Sequence, residues 1–307
     1  MSPKYTLPEW FCAAATVATA ASVFLIFGFI FATAAPVLEK EGIGFITGTE
    51  WNYQSHEYGI LLYLVSTLVL TAMTMVLAVP LGVLTAVFLA EWAPVWLDRS
   101  MSTMIELLVG IPSVIYGIFG LFVMEGVFRD YIDPFISSTL GFIPIFYDTD
   151  PSRGSGLLLG ATVLAIMILP TVTALSREAM RSVPDEYREG SIALGATRWE
   201  TIRMIVLPAA ASGILTGIIL GLMRAMGETM AVVMVIGNVA QAPSSIYSLS
   251  YPMTSKILND IGYHMASDEP RSALFAIGAI LFLMEFALVA VIRGVSMYYS
   301  RKGGHKA

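Results

Sequence analysis

The chain has 307 residues, of which 56% are hydrophobic and 13% charged, and its mean hydropathy is +0.75. This composition excludes an ordinary soluble domain and indicates an all-α, polytopic membrane protein. The net charge of −6 gives no indication of nucleic-acid binding. The single cysteine excludes an intrachain disulfide, and the three scattered histidines predict no metal site.

The first uncharged run, residues 11–35, is longer than the apolar core of a secretory signal, which has about 7–15 residues. We therefore predict an uncleaved spanning helix that ends at Pro36, because proline cannot continue a helix cleanly. Residues 39–58 are polar and aromatic and are expected to form a loop. The N-terminal helix and this external loop make up the predicted segment 1–58.

The next stretch, residues 59–90, carries no charge and exceeds the length of about 20 residues that one crossing needs. It predicts an interfacial segment followed by a helix that Pro80 kinks. Residues 91–106 are expected to form a short loop that holds Trp92 and Trp96 at the depth of the membrane interface.

The third predicted crossing, residues 107–124, contains the string Gly-Ile-Pro-Ser-Val-Ile-Tyr-Gly, from Gly110 to Gly117. Proline and two glycines disfavour a regular helix there, and broken backbone at membrane depth is stable only where it is buried or lines a cavity. A simple proline kink between packed helices is the alternative. An acidic loop is predicted over residues 125–155 and a fourth crossing over residues 156–176.

A polar segment, residues 177–208, follows the fourth crossing. It has a spaced pattern, in which Glu189 is followed after five residues by Gly195 and after nine more by Ile-Val-Leu-Pro. Gly195 permits a tight turn, and the charges of the segment keep it in water. Ala193 and Leu194 are apolar and suited to anchoring a partner. An ordinary solvated amphipathic loop is the alternative.

This pattern resembles the cytoplasmic signature loop of ATP-binding-cassette importer permeases, written EAA-x3-G-x9-I-x-LP. The glycine, isoleucine, leucine and proline are in register, whereas Gly190 and Ser191 replace the two alanines. The resemblance implies an importer type I permease fold in which the loop forms a short helix that docks in a cleft of an ATPase subunit. The residues that it assigns to ATPase coupling are Glu189, Ala193, Leu194, Gly195, Leu207 and Pro208.

The apolar span that follows, residues 209–237, carries two charges, Arg224 and Glu228. At about 100° per residue, both charges fall on one narrow helical stripe. Small residues at intervals of four let a second helix approach closely, so this stripe is predicted to face protein or a polar path. The small residues predicted for helix packing on this stripe are Gly213, Gly217 and Gly221.

Arg224 lies about 16 Å along the predicted helix from Gly213, near the middle of a bilayer. A guanidinium at that depth costs about 3 kcal/mol on insertion scales, so an interaction must offset it. One interpretation is a structural ion pair with Glu228, one turn further on. The other is a site on a solute path, which is the default for an ionisable residue at this depth.

A further loop is predicted over residues 241–271 and a sixth crossing over residues 273–292, with Glu285 in a structural position. With the N-terminus inside, eleven lysines and arginines lie in inner segments and five in outer loops. This bias predicts a cell-membrane protein with both termini and the 177–208 loop in the cytoplasm. The predicted permease core is 59–292, followed by a cytoplasmic tail, 293–307.

Two segments, residues 184–208 and 221–232, resemble phosphate importer permeases in particular. Residues 228–238 resemble the permease family called PstC more than its partner family PstA. The resemblance implies a complex with a PstA-like permease, two copies of a PstB-like ATP-binding subunit and an extracytoplasmic PstS-like phosphate-binding protein. The chain itself would be a transport subunit and not an enzyme.

No G-x-x-x-x-G-K-[ST] phosphate loop occurs in the sequence, so ATP would be used by the partner ATPase, and no cofactor is predicted for this chain. The planar fork of Arg224 suits phosphate oxygens. Glu228 could hold Arg224 or accept the O–H of a monohydrogen phosphate, which sulfate lacks. Both residues are therefore predicted to lie on the substrate path. The alternatives are a sulfate or molybdate permease, a PstA-like subunit, an ion-driven transporter and a membrane scaffold.

Overall fold

The computed structural model describes residues 7–147, 150 and 153–303, and these are almost entirely helical. Two short strands, β1 (Trp51–Asn52) and β2 (Glu57–Tyr58), pair antiparallel. The first seven helices are α1 (Leu7–Glu41), α2 (Gly44–Thr47), α3 (Leu61–Glu91), α4 (Val95–Val109), α5 (Ser113–Phe119), α6 (Glu125–Val127) and α7 (Asp133–Leu140). The next seven are α8 (Leu157–Arg181), α9 (Asp185–Ala193), α10 (Arg198–Thr201), α11 (Leu207–Gly227), α12 (Met230–Val235), α13 (Met253–His264) and α14 (Asp268–Gly303).

Irregular turns link several of these helices. π-Helical turns at Gly120–Met124 and Phe128–Ile132 join α5, α6 and α7, so that the chain is helical from Ser113 to Leu140. A third π-helical turn, Ile202–Val206, joins α10 to α11 just before Pro208, which lacks the N–H that an α-helical turn would use. A 3₁₀ turn covers Pro144–Phe146.

Within the described residues, five helical segments are long and apolar enough to cross a membrane. They are Pro8–Glu41, Leu61–Glu91, Leu157–Arg181, Arg198–Gly227 and Asp268–Gly294. A sixth span arises if α4 and the helix from Ser113 to Leu140, which meet at 95°, are counted as one. The prediction of a helical membrane protein with about six crossings is therefore confirmed.

Two compact units make up the described chain, Met1–Leu61 with Ile257–Leu283, and Leu62–Lys256 with Met284–Ala307. The predicted boundary at residue 292 falls inside α14. The predicted cytoplasmic tail, 293–307, starts in this helix and runs past the described residues, and Lys4 lies before them.

The first unit holds α1 and the β-hairpin. Pro36 lies inside α1, which continues to Glu41, so the prediction that the helix ends at Pro36 is wrong. Spanning helices tolerate an internal proline because neighbouring groups compensate for the lost hydrogen bond.

The predicted loop, residues 39–58, contains the short helix α2 and the two paired strands β1 and β2. The ring of Tyr53 stacks on His264 at a centroid distance of 3.6 Å, and its hydroxyl donates to Asp260.

Three loop predictions in the second part of the chain are wrong. Residues 91–106 lie largely in α4, residues 125–140 continue a helix, and α13 lies within 241–271. No separate interfacial segment precedes α3, which begins at Leu61. The three helical segments contain charged residues among apolar ones, and a short window of sequence cannot distinguish such a helix from a loop.

The core of the second unit lies around α8, whose buried side chains include Leu164, Met167 and Ile168. α11 packs along α8 through three glycines, one helical turn apart. A Cβ atom at Gly213 would lie 2.4 Å from the Cβ of Ala179. Cβ atoms at Gly217 and Gly221 would lie 3.0 Å from Leu175 Cβ and 2.9 Å from Val172 Cγ2. The glycines therefore permit the two helix backbones to approach closely.

We predict that Gly213→Ala destabilises the protein. An alanine normally stabilises a helix interior by about 1 kcal/mol relative to glycine, but here its methyl group overlaps the Cβ of Ala179. Thermal unfolding in detergent should show a lower midpoint than that of the wild type.

Gly278→Ala is the matched control, because no atom lies within 4 Å of a Cβ at this position in α14. Its unfolding midpoint should not fall. The double substitution Gly213→Ala with Ala179→Gly should recover most of the loss. Equal midpoints for Gly213→Ala and the wild type would contradict the close packing.

Candidate functional site

The charged span breaks at Glu228. α11 ends at Gly227, Glu228 is extended with φ −69° and ψ 130°, and α12 begins at Met230. The prediction of one regular helix over residues 209–237 is therefore wrong, and Glu228 does not share the helical stripe of Arg224. The carboxylate of Glu228 instead accepts the N–H of Ala231 at 3.1 Å and caps the first turn of α12.

The polar backbone at this break has partners. Thr254 Oγ1 donates to the carbonyl oxygen of Glu228 at 3.0 Å, and Thr229 Oγ1 donates to the carbonyl oxygen of Gly227 at 3.3 Å. At the far end of α12, Asn238 has φ +53° and its side-chain amide donates to the carbonyl oxygen of Val233 at 2.7 Å. Side chains therefore form hydrogen bonds with the backbone at both ends of α12, as a backbone break in a membrane requires.

Arg224 lies in the last turn of α11 and is half-buried. Its Nη1 donates to Thr171 Oγ1 of α8 at 3.5 Å, which is a long contact. Across the part of the chain that the structure describes, no carboxylate oxygen lies within 4.0 Å of this guanidinium. The structural ion pair with Glu228 is therefore not formed, and most of the five guanidinium N–H donors remain available to a ligand.

A second break separates α4 from α5 at Gly110–Pro112, where the two helical axes turn by 95°. The hydroxyl of Tyr116 donates to the carbonyl oxygen of Leu108 at 3.0 Å and bridges this break. The prediction that the backbone is not a regular helix here is confirmed.

The helices that follow the two breaks, α5 and α12, pack against each other. A Cβ atom at Gly117 of α5 would lie 2.9 Å from the Cα of Ala231 in α12. Ala231 is also the residue whose N–H the carboxylate of Glu228 accepts. The Gly110–Gly117 string is therefore more than a kink between two packed helices, because its backbone contacts the other broken segment.

The polar segment between α8 and α11 is folded into two short helices joined by a sharp turn. Gly195 has φ +89°, a conformation that favours glycine. Thr197 and Glu200 then form a capping box that starts α10, with Thr197 N–H donating to Glu200 Oε2 at 2.7 Å.

The side chains predicted for ATPase coupling are placed as follows. Leu194 is 91% exposed at the tip of the turn, and Glu189 and Ala193 are also exposed on α9. Leu207 packs partly against the core, and Pro208 lies in the first turn of α11. The loop thus presents an apolar tip that no other part of the described chain covers.

Charged groups that sequence reasoning missed attach this segment to the helix bundle. Asp98 of α4 accepts N–H groups from Arg177 and Arg181 at the end of α8. Arg188 of α9 donates to Glu91 at 3.0 Å and to the carbonyl oxygen of Met180 at 2.8 Å. The arginines and their carboxylate partners are separated by 79 to 97 residues along the chain, and no local pattern could reveal these pairs.

Glu285 of α14 lies beside the break at Glu228. A Cβ atom at Gly227 would be 3.7 Å from Glu285 Oε1. Among the residues that the structure describes, no group of three or more His, Cys, Asp and Glu side chains is arranged to hold a metal ion.

Residues 78–296 match the family described as binding-protein-dependent transport system inner membrane component. The chain belongs to this family. It is therefore a membrane-embedded transport subunit and not an enzyme.

Curated relatives cover most of the chain. It is 41% identical to the phosphate transport system permease protein PstC of Xylella fastidiosa, over 87% of this chain and 83% of the relative. A PstC of Mesorhizobium japonicum is 35% identical over 98% of this chain and 94% of the relative. The probable ABC transporter permease protein YqgH of Bacillus subtilis is 39% identical over 83% and 77%.

Solved structures share the fold. A chain of a bacterial alginate ABC transporter, in complex with a pentasaccharide-bound periplasmic protein, has a TM-score of 0.61. The alignment covers 95% of this chain and 96% of the other at 14% identity. The predicted importer type I permease fold is confirmed.

We predict that Gly195→Ala loosens the turn between α9 and α10. The backbone at φ +89° disfavours any residue with a Cβ atom, whereas no neighbouring atom would contact the added methyl group. The free-energy cost is on the order of 1 kcal/mol. Amide hydrogen exchange over residues 190–200 should be faster than in the wild type.

Gly190→Ala is the control, since Gly190 lies within helix α9 and is equally open. This substitution should leave exchange in the segment unchanged or slower. Equal exchange in the two variants would show that the conformation of Gly195 does not hold the turn.

Proposed function

We propose that the chain is the PstC-type permease subunit of an ATP-driven phosphate importer. The observation that carries this proposal is the identity of 35–41%, over most of the chain, with relatives named phosphate transport system permease protein PstC. Three structural features support the proposal. They are the fold, the folded loop between α8 and α11, and the half-buried Arg224 beside a helix break.

Arg224 is the residue that we assign to the substrate path. It is held at one edge by Thr171 and lacks a carboxylate partner within the described chain, so its fork can present two parallel N–H groups to an oxyanion. The helix break next to it leaves irregular backbone in the membrane, which is tolerated where it lines a cavity. An arginine that is paired with a carboxylate would be far less suited to this function.

Glu228 is assigned to discrimination between oxyanions. One carboxylate oxygen, Oε1, accepts the N–H of Ala231. The other, Oε2, has no hydrogen bond to any described residue. It can accept the O–H of a monohydrogen phosphate, whereas a sulfate at neutral pH has no proton to donate. This arrangement favours phosphate over sulfate or molybdate.

The segment 177–208 is assigned to contact with the ATPase. Its exposed apolar tip, Leu194, is suited to a cleft on a partner, and exposed apolar groups that are rimmed by charges mark protein interfaces. We propose that the complex contains a PstA-like permease, two PstB-like ATP-binding subunits and a PstS-like binding protein. The excess of lysine and arginine in the segment 177–208 and in the two termini supports a cytoplasmic position for this segment and for both termini.

The uptake of labelled phosphate tests the substrate and Arg224 together. Cells that lack other phosphate importers should lose uptake at low external phosphate when this chain is deleted, and regain it with the wild-type chain. Arg224→Gln should reduce uptake by about 10- to 150-fold, because a charge-assisted hydrogen bond contributes about 1.5–3 kcal/mol.

Arg293→Gln, at an exposed arginine of α14, serves as the control and should transport at the wild-type rate. The amount of assembled complex is measured for each variant by copurification of the ATPase. Normal uptake by Arg224→Gln would remove this residue from the path. Inhibition by excess sulfate or molybdate would reassign the substrate.

We also predict that Leu194→Asp weakens the contact with the ATPase. A carboxylate at this tip would have to lose its hydration in an apolar cleft, and that loss is unfavourable. Less ATPase should copurify with the variant, while the permease itself remains in the membrane at the wild-type level. Equal recovery of the ATPase would place the contact elsewhere on the loop.

A further inference from the structure

Asp98 joins α4 to the end of α8 through three hydrogen bonds. Its Oδ1 accepts Arg177 Nε at 2.7 Å, and its Oδ2 accepts Arg177 Nη2 at 2.8 Å and Arg181 Nη2 at 2.7 Å. Only 7% of the residue is exposed. A carboxylate bound in a bidentate manner by one arginine and contacted by a second is among the strongest and most directional polar contacts in proteins.

Both arginines lie at the start of the segment 177–208 that we assign to contact with the ATPase, in the last turns of α8. Arg181 is the last residue of α8, and α9 begins four residues later at Asp185. A second contact holds α9 itself, because Arg188 donates to Glu91 at the end of α3 and to the carbonyl oxygens of Met180 and Val183. The loop is therefore attached to the ends of α3 and α4 by ion pairs whose carboxylates are only 9% and 12% exposed, so water weakens them less than it weakens a fully exposed pair.

α4 connects this attachment point to the substrate path. The helix runs from Val95 to Val109 and ends at the break over Gly110–Pro112. The hydroxyl of Tyr116 on the far side of the break bonds back to Leu108 of α4. The next residue, Gly117, contacts Ala231, whose N–H the carboxylate of Glu228 accepts. A continuous series of contacts thus leads from Asp98 to the break beside Arg224.

We propose that Asp98 is a positioning residue that couples movement of the 177–208 loop to the substrate path through α4. This inference rests on the proposed function. When ATP binding to the partner displaces the loop, Arg177 and Arg181 pull on Asp98, and α4 moves with the end of α8. Because α4 ends at a break with a 95° turn, its displacement changes the position of α5 against α12 and not the whole span.

A purely structural function for Asp98 makes a different prediction. If Asp98 only stabilises the fold, its loss lowers the amount of complex, and every activity of the remaining complex falls in proportion. If it transmits movement, its loss separates ATP hydrolysis from transport in complexes that are fully assembled. The number of ATP molecules hydrolysed per phosphate imported distinguishes the two functions.

The experiment uses the complete transporter in proteoliposomes, with the ATPase, the second permease and the binding protein present. ATP hydrolysis that depends on the binding protein and uptake of labelled phosphate are measured on the same sample. In Asp98→Asn, uptake should fall at least about tenfold while hydrolysis falls less than about twofold, so that the ratio rises about fivefold or more. Asp98→Glu keeps the carboxylate and should recover most of the uptake.

Arg181→Gln removes one of the three bonds from a side chain that is 43% exposed, and it should give an intermediate ratio even if Asp98→Asn fails to assemble. Asp130→Asn is the matched control, because Asp130 forms an exposed ion pair with its neighbour Arg129, away from the loop. This control should retain the wild-type ratio.

Equal losses of hydrolysis and uptake in Asp98→Asn and in Arg181→Gln would overturn the inference and leave Asp98 a structural residue. Wild-type values in both variants would overturn it as well. Failure of the proposed function has a separate signature, since the wild-type complex itself would then import no phosphate.

Discussion

The need to satisfy backbone hydrogen bonds inside a membrane governs the second unit of this protein. Two spans are interrupted, at Gly110–Pro112 and at Glu228, and each interruption frees carbonyl and amide groups where no bulk water is available. Side chains form hydrogen bonds with these backbone groups. Tyr116 bridges the first break, and Glu228 and Thr254 close the second. Because the helices that follow the breaks, α5 and α12, contact each other, a shift of one changes the packing of the other.

Most of the architecture follows from the sequence. Uncharged runs predict the spans, the glycine spacing in α11 predicts a close helix contact, and Gly195 predicts a turn. The failures have physical causes. The sequence around Glu228 is apolar enough to predict a continuous helix. The break is explained by the hydrogen bond that the Glu228 carboxylate accepts from the N–H of Ala231, which the sequence pattern does not show. Asp98 and Arg177 lie 79 residues apart. Their pairing depends on how α4 packs against α8, and the pattern of a single sequence does not show that packing.

Three partly buried arginines of this chain lie in two kinds of environment. Those near the loop, Arg177 and Arg188, are only 15% and 18% exposed and each binds a carboxylate, so their charges are neutralised locally and serve packing. Arg224 is half-buried and has a single long contact to a hydroxyl. Of these three arginines, only Arg224 has no carboxylate partner among the described residues, which supports the proposal that an anion passes beside it.

The exposed apolar tip of the loop, Leu194, affects how the subunit is handled in the cell before the complex assembles. A leucine that is 91% exposed in water, next to half-exposed Ile192, is a surface that chaperones and proteases recognise on unfinished proteins. A copy without its ATPase would therefore carry a signal for its own removal, which is masked only when the partner binds. The same side chain that we propose for contact with the ATPase would then keep the subunits in balanced numbers in the cell.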